Sequence, residues 1–236
     1  DKVVWDAEPL QGEDYVGVRF TYISPDGEEG YPGTLNVSVT HILNDENELR
    51  IEYQADTDAT TIVNLTNHSY WNLSAGSVPT ILDHRVQIEA EQFLDIGSDM
   101  IPTSAKNVAG GAMDFTSPRV IGERIDALKQ GPDGSQGYDH NYILRSQDGS
   151  LVRAAFVVDP VSGRTMEVLT TEPGVQFYTA NFLDGGSTCG GHPQHAAFCL
   201  ETQHFPDSPN RPDFPSVILK PGEQYHSTTV HRFGSI

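Results

Sequence analysis

The stretch "TLNVSVTHIL", residues 34–43, decides the fold class. Its apolar and polar residues alternate along the chain. The apolar set is Leu35, Val37, Val39 and Leu43, and the polar set is Asn36, Ser38 and Thr40. A period of two residues is typical of a β-strand with one face buried and one face in water.

The same alternation recurs in "ELRIEYQAD" (48–56) and in "HRVQIEAEQF" (84–93), and turn-forming residues bound both stretches. Further strands are predicted at 16–22, 60–73, 141–145, 151–158, 164–171, 175–182, 196–203, 216–219 and 225–233. One short helix is predicted in "RVIGERIDALKQG" (119–131), with Gly131 as its stop. Many strands joined by short turns, with no alternating helices to support parallel crossovers, predict an all-β sandwich or barrel.

The charge of the chain limits its partners. The 236 residues include 33 acidic and 14 basic ones, which gives a formal net charge of −19. Such a field repels phosphate backbones and anionic lipid surfaces, and no apolar run in the sequence reaches membrane-spanning length. We therefore predict no nucleic-acid partner and no membrane partner.

The ends and the cysteines say little about the compartment. The sequence begins at Asp1 with neither an initiator Met nor a signal peptide, so we expect the true N-terminus to lie elsewhere. Cys189 and Cys199 exclude a disulfide framework and leave a single bridge open. A cytoplasmic location is the default, and a secreted or periplasmic one stays open.

Two stretches offer groups for proton transfer. In "TTIVNLTNHSYWNL" (60–73), His68 would share a strand face with Thr66 and Tyr70, although a lone strand histidine is more often structural. In "AFCLETQHFPD" (197–207), Glu201 would share a face with Cys199 and Gln203. Glu201 then either lies in water or is a carboxylate held in a cleft with a shifted pKa.

Two further stretches offer groups for binding. In "QGYDHNYIL" (136–144), Asp139 and His140 stand where a Gly-rich loop becomes a strand, and a turn-capping role for Asp139 is the alternative. In "TTEPGVQFYTANFLDG" (170–185), Gln176, Tyr178 and Asn181 place amide and phenol groups beside aromatic surface, a mixture that suits sugar rings.

A competing hypothesis is a zinc site made by Cys189, His192, His195 and Cys199. Zinc accepts that ligand set, but the spacing matches no standard zinc motif. The sequence also has no Gly-rich phosphate loop before a helix, no G-x-S-x-G and no H-E-x-x-H. We therefore expect no metal, and nucleophilic and nucleotide chemistries lose support.

Six motifs occur together in order. They are "NLTNHSYWNL", "IPT" (101–103), "MDF" (113–115), "GYDHNYIL", the run from "SGR" to "NFLDG" (162–185) and "FCLETQHFPDSPN". On these motifs the chain resembles the galactose mutarotase (aldose 1-epimerase) family over nearly all of its length. The resemblance implies a large twisted antiparallel β-sandwich, the galactose mutarotase-like supersandwich, and an enzyme without a cofactor. Its substrate would be a free aldohexose such as galactose or glucose, whose α and β anomers it interconverts.

The resemblance also implies roles for four residues. The general acid of the family falls on His68, its general base on Glu201, and its sugar-hydroxyl contacts on Asp139 and Gln176. Ring opening of a hemiacetal needs one oxygen protonated and another deprotonated, and two groups with different pKa values can share this work. We expect the imidazole and the carboxylate to face each other across a sugar-sized gap.

The chain also departs from the family pattern. The N-terminal part of family members carries an arginine and a second active-site histidine, and neither has a counterpart here. We therefore expect residues 1–236 to form one mutarotase-like domain that is incomplete at its N-terminus. A separate N-terminal fragment or a homo-oligomer stays open as a partner. Ser104 also stands where the family usually places glycine after I-P-T.

Two alternative functions stay open. The first is a non-catalytic sugar-binding module. The second is a hexose-6-phosphate 1-epimerase, which needs basic residues to hold phosphate. The candidates for that role, Arg153, Arg164 and Arg211, are scattered through the sequence.

Overall fold

A computed structural model describes residues 2–128 and 136–236. The strands of the described residues are β1 (Asp6–Gln11), β2 (Tyr15–Ser24), β3 (Leu35–Asn44), β4 (Glu48–Thr57), β5 (Thr61–Ile62), β6 (Arg85–Ile88), β7 (Ala90–Ile96), β8 (Pro102–Asn107), β9 (Arg119–Val120), β10 (Asp139–Leu144), β11 (Val152–Val158), β12 (Arg164–Thr170), β13 (Gly174–Tyr178), β14 (Cys199–Gln203), β15 (Ile218–Leu219) and β16 (Tyr225–Ser235). The helical residues of the same ranges form short 3₁₀ turns at Glu28–Gly30, Ile121–Glu123, Ile125–Ala127, Ser187–Cys189 and Ser208–Asn210. No helix in this part of the chain is both long and apolar enough to cross a bilayer.

The strands form two large sheets and one small sheet. The nine-stranded sheet has the order β1-β2-β3-β4-β16-β12-β11-β6-β9, and the five-stranded sheet has the order β14-β13-β10-β7-β8. The described strand pairs are antiparallel throughout. The main core contains Val157 and Met166 from the larger sheet packed with Tyr142, Phe177 and Leu200 from the smaller one. This arrangement confirms the predicted antiparallel β-sandwich.

The stretch 84–93 forms two strands where the alternation predicts one. β6 belongs to the nine-stranded sheet and β7 belongs to the five-stranded sheet, so the chain changes sheets at Glu89. The Glu89 carboxylate bonds Arg145 at 2.8 Å and Arg153 at 2.7 Å. The period of two continues across this change because Val86 and Ile88 of β6 and Ala90 of β7 all face the same core.

The opening stretch 34–43 lies in β3, as predicted, but its apolar face is only partly buried. Val37 packs with Ala55, Val63 and Leu219 in a small second cluster. Leu43 lies at the other end of the strand, beyond that cluster, and is 48% exposed. The alternation therefore predicted the strand correctly and overstated how far burial extends along it.

The predicted helix at 119–131 is wrong over the described residues. The stretch forms β9 and then two 3₁₀ turns, because Arg124 between them has φ −130° and ψ 12°, outside the α-helical range. Ile121 and Ile125 are buried, so their spacing reflects core packing and not an α-helix. The predicted stop at Gly131 lies outside the described residues.

The predicted strand at 60–73 is also wrong in its middle. Only Thr61–Ile62 forms a strand, paired with β15, and Trp71 forms an isolated bridge with Phe198. The alternation also missed β1 and β8, which are exposed along most of their lengths and so carry no apolar period.

Candidate active site

The outer face of the five-stranded sheet carries most of the candidate site. The strand register pairs Gln176 on β13 with Glu201 on β14, and it pairs Tyr178 with both Asp139 and Cys199. Residues paired directly across antiparallel strands point to the same face, as do alternate residues along one strand. Intervening residues such as Leu200 and Phe177 point into the core instead. Period-two geometry therefore places a carboxylate pair, an amide, a phenol and a thiol together.

His68 reaches this face from the irregular segment that follows β5. Its Nε2 lies 3.4 Å from Oε1 of Glu201, and its Nδ1 lies 3.4 Å from Sγ of Cys199. The ring of Tyr70 lies 5.0 Å from the imidazole and that of Tyr178 lies 5.9 Å from it, measured between centroids. Two aromatic rings and two polar neighbours thus surround the imidazole.

The two members of this pair differ in their exposure to water. The His68 side chain is 49% exposed, whereas that of Glu201 is 11% exposed. The pKa of Glu201 is raised to about 7, mainly by burial; the charge of His68 opposes this shift, and the nearby Asp139 carboxylate contributes to it. A carboxyl that changes charge near neutral pH suits proton transfer.

Asp139 and Gln176 form a second polar pair beside the first. Nε2 of Gln176 donates a hydrogen bond of 2.7 Å to Oδ1 of Asp139. Burial raises the pKa of Asp139, and the bond from Gln176 and the charge of His68 act in the opposite direction. This bond fixes the orientation of both side chains, so that Asp139 provides an acceptor and Gln176 a donor at the cleft.

These groups line one open cleft of about 320 Å³. Its lining residues are His68, Tyr70, Asp139, Gln176, Tyr178, Phe182, Glu201, Gln203 and Pro206. The volume lies at the lower end of the range for small-molecule sites, ~300 to 1,000 Å³. The structure therefore brings all four residues named from the sequence into one cleft. Of the others, Gln203 follows from its alternation with Glu201, whereas nothing in the sequence pattern indicates Pro206.

The expected gap between imidazole and carboxylate is wrong, because the two side chains are in direct contact. A pyranose carries its ring oxygen and its anomeric hydroxyl on the same carbon. Two groups that act on these oxygens can therefore lie close together.

Two other candidates do not reach the cleft. His140 pairs with the core residue Phe177, packs its ring 5.7 Å from Phe93, and burial lowers its pKa to about 4. Asn181 is buried, and its Nδ2 donates to the carbonyl of Tyr138. It lies against Gly137, where φ is 149° and a Cβ would come within 1.9 Å of Asn181 Oδ1. Both residues thus serve the fold.

The zinc hypothesis is wrong in this structure. Nδ1 of His195 bonds the carbonyl of Thr179 at 2.8 Å, and Cys199 is directed toward His68. Within residues 2–128 and 136–236, one set of possible metal ligands lies close together. It consists of His68, Cys199 and Glu201, whose ligand atoms lie within 4.8 Å of one another. The proposed quartet is therefore not gathered, and both cysteines are free thiols.

The arginines considered for phosphate binding have other partners. Arg153 pairs with Glu89 and Arg211 pairs with Asp213 at 3.0 Å. Nη1 of Arg164 donates to the carbonyl of Leu73. None of the three lines the cleft in the described part of the chain.

A larger cavity of about 590 Å³ lies next to the cleft and shares Tyr70 with it. Its lining is mainly apolar, with Val78, Pro79 and Leu183 among its residues, and it includes no carboxylate. The smaller cleft is the stronger candidate for chemistry because it holds both carboxylates and the histidine that contacts one of them.

Fold and site together define a class: large antiparallel β-sandwich proteins with a histidine–carboxylate pair in a cleft on the smaller sheet. The model of the family described as "Aldose 1-epimerase" matches residues 1–232. The chain belongs to the aldose 1-epimerase family.

Individual relatives agree with this assignment. The chain is 46% identical to the galactose mutarotase of Bos taurus, covering 99% of this chain and 66% of that protein, and the Homo sapiens protein gives the same values. It is 36% identical to the aldose 1-epimerase of Escherichia coli strain K12, covering 92% of this chain and 63% of that one. The chain thus spans about two thirds of the length of the curated relatives it matches.

Solved structures agree as well. A galactose 1-epimerase from Lactobacillus acidophilus NCFM matches with a TM-score of 0.85 and 26% identity, covering 99% of this chain and 67% of that one. An aldose epimerase homologue from C. elegans matches with a TM-score of 0.83 and 26% identity, covering 98% of this chain and 69% of that one.

Proposed function

We propose that this chain provides the acid, the base and the sugar contacts of an aldose 1-epimerase that interconverts the α and β anomers of a free aldohexose. The observation that carries this proposal is the 3.4 Å contact between His68 Nε2 and Glu201 Oε1 in a cleft of small-sugar size. The names of the relatives support it, since those proteins are called galactose mutarotase or aldose 1-epimerase. A single domain over residues 1–236 stays a prediction.

Ring opening would use the pair in opposite protonation states. Protonated His68 donates from Nε2 to the ring oxygen while ionised Glu201 takes the proton of the anomeric hydroxyl. The bond between C1 and the ring oxygen breaks, and its electron pair stays with the oxygen as the C1 carbonyl forms. The open aldehyde has then gained one proton at the former ring oxygen and lost one from the former anomeric hydroxyl, whose oxygen is now the carbonyl oxygen.

Ring closure would reverse the roles. The aldehyde turns about the C1–C2 bond and presents its other face. Neutral His68 takes the proton of the attacking hydroxyl, and the carboxylic acid of Glu201 returns its proton to the carbonyl oxygen. Both residues then hold their original protons, so the cycle needs no cofactor and no second reactant.

The other residues would hold the sugar in place. Asp139 and Gln176 offer an acceptor and a donor to ring hydroxyls, and their mutual bond of 2.7 Å fixes the orientation of both groups. Tyr70, Tyr178 and Phe182 offer aromatic surface to the apolar side of the ring. Fixing the sugar in this way lowers the entropic part of the barrier.

Polarimetry tests the proposal directly. Freshly dissolved α-galactose or α-glucose should reach its equilibrium rotation faster with the protein than in buffer alone. His68→Ala and Glu201→Gln should each slow the catalysed rate ~100- to 10,000-fold, the usual contribution of one positioned acid or base. The matched control is the pair His226→Ala and Glu91→Gln, whose residues are exposed and lie outside the cleft.

Two outcomes would contradict the proposal. Binding of the sugar with no acceleration by the wild-type protein would favour the non-catalytic sugar-binding module. A clear preference for hexose 6-phosphate over free hexose would favour the phosphosugar alternative. The order of preference among galactose, glucose and other aldohexoses follows from the same rates.

A further inference from the structure

The segment between β5 and Trp71 lies along the edge of β14, although it is not a β-strand. Its first contact comes from Asn64: Oδ1 accepts from the backbone N–H of His204 at 3.0 Å, and Nδ2 donates to the carbonyl of the same residue at 3.1 Å. Two residues later, Oγ1 of Thr66 donates to the carbonyl of Thr202 at 3.0 Å. Side chains thus make the contacts that backbone groups make in a regular sheet.

The other end of the segment returns to backbone pairing. Trp71 and Phe198 exchange two N–H···O=C bonds of 2.8 and 3.0 Å. Nδ2 of Asn72 then donates to the carbonyl of Ala196 at 2.9 Å. The segment is therefore antiparallel to β14 and attached at both ends, and His68 lies between the two attachments.

The carboxamide of Asn64 replaces one peptide group of a missing strand. In an antiparallel ladder, one residue exchanges both an N–H and a C=O bond with its partner, and Asn64 makes this exchange through its side chain. The backbone groups of His204 and the carbonyl of Thr202 are thereby satisfied without a neighbouring strand. Because a side chain stands between the two backbones, the segment lies farther from β14 than a paired strand would.

This offset matters for His68. In a paired strand its side chain would leave the sheet roughly perpendicular to its plane. From the offset segment, the imidazole instead spans the space to β14 and contacts Cys199 and Glu201 through its two nitrogens. Asn64 and Trp71 therefore fix the two ends of the segment from which the imidazole reaches this carboxylate.

We propose that Asn64 is a positioning residue, whose double hydrogen bond to His204 holds His68 in contact with Glu201. The role of that contact in catalysis rests on the proposed function above.

The variants for the test are Asn64→Ala, which removes both bonds, and Asn64→Asp, which keeps the acceptor for the His204 N–H and removes the donor. The matched control is Asn44→Ala. Oδ1 of Asn44 accepts from the backbone N–H groups of Glu46 and Glu48, in a turn between β3 and β4 outside the cleft. A general loss of stability should therefore appear in the control as well.

The first measurement separates kcat from KM in the polarimetric assay. Asn64→Ala should lower kcat ~10- to 100-fold, since small displacements of catalytic groups have effects of this size, while KM changes less than about twofold. Asn64→Asp should lie between Asn64→Ala and the wild type. Asn44→Ala should lower the melting temperature without lowering kcat. An unchanged kcat in Asn64→Ala would overturn the proposal.

The second measurement does not depend on activity. In NMR spectra, the imidazole signals of His68 should shift when Glu201→Gln is introduced into the wild type, because the two side chains are in contact. In an Asn64→Ala background the same change should shift them much less. An equal shift in both backgrounds would overturn the positioning role, whereas a normal NMR result with an inactive wild type would contradict only the proposed function.

Discussion

Two histidine–glutamate pairs occur close together at the end of β14 in the described structure, and their carboxylates differ in how they are satisfied. Nδ1 of His204 lies 2.6 Å from Oε2 of Glu172, and the other oxygen of Glu172 accepts from the hydroxyl of Tyr225 at 3.2 Å. Nε2 of His68 lies 3.4 Å from Glu201, and no other side chain in the described ranges donates a hydrogen bond to this carboxylate. The Glu172 side chain is 3% exposed and that of Glu201 is 11% exposed.

The comparison shows that burial alone does not make a carboxylate reactive. A buried charge is costly unless hydrogen bonds compensate it. Glu172 has compensating partners on both oxygens, so its charge is stabilised within the fold. Glu201 has few partners and a pKa raised to about 7, so its proton is available near neutral pH.

The largest expected effect is on stability and comes from Glu201→Gln at high pH. The folded pKa of Glu201, about 7, lies above its ordinary value of 4.5, so the folded state loses stability as pH rises from 4.5 through 7. The shift corresponds to at most about 3 kcal/mol. Because glutamine does not ionise, the variant should gain stability over the wild type at pH 8 by up to that amount, and little at pH 4. Urea unfolding at both pH values measures the difference.

Glu91→Gln serves as the control, because its side chain is 76% exposed. A Glu201→Gln variant that is equally stable relative to the wild type at both pH values would show that burial does not penalise this carboxylate. The same variant is predicted to gain stability and to lose activity. Together the two results would describe a site that is kept reactive at a cost in stability.

The second pair should behave in the opposite way. Glu172→Gln leaves His204 and Tyr225 without their charged acceptor, and we expect a loss of ~1 to 3 kcal/mol, the usual cost of an unsatisfied buried group. Thermal unfolding checks this, and polarimetry should show kcat within a few-fold of the wild type. A large loss of kcat with little loss of stability would remove the distinction between the two pairs.

The sequence predicted the sheet side of the site well. Alternation in "AFCLETQHFPD" placed Cys199, Glu201 and Gln203 on one face, and β14 has this geometry. Period-two patterns are reliable where one face of a strand is buried, because burial selects the apolar residues. The same pattern could not show that the core-facing residues of 84–93 belong to two different sheets.

The histidine side of the site could not be predicted in this way. The segment 60–73 contains residues that favour strands, and its alternation is typical of one. In the structure, Asn64 and Thr66 bond the edge of β14 through their side chains, and this competes with backbone pairing. A single sequence does not show which polar side chains will replace a strand, so the contact between His68 and Glu201 appears only in three dimensions.

The smallest expected effect is the pH dependence of the rate, which distinguishes the two pairs by their part in proton transfer. If Glu201 is the base, it must be ionised in the free protein, so kcat/KM should fall about tenfold per pH unit below about pH 7. Three effects set this midpoint: the burial of Glu201, the charge of His68 and the charge of Asp139. Polarimetric rates measured from about pH 5 to about pH 8 span this midpoint. The fall of kcat/KM at low pH should be the same in Glu172→Gln as in the wild type, because His204 and Glu172 take no part in the proton transfer. A midpoint near 4.5, the ordinary value for a glutamate, would mean that the carboxylate of Glu201 acts from a solvated position. The contrast between Glu172, whose buried charge is compensated by hydrogen bonds, and Glu201, whose charge is not, would then fail.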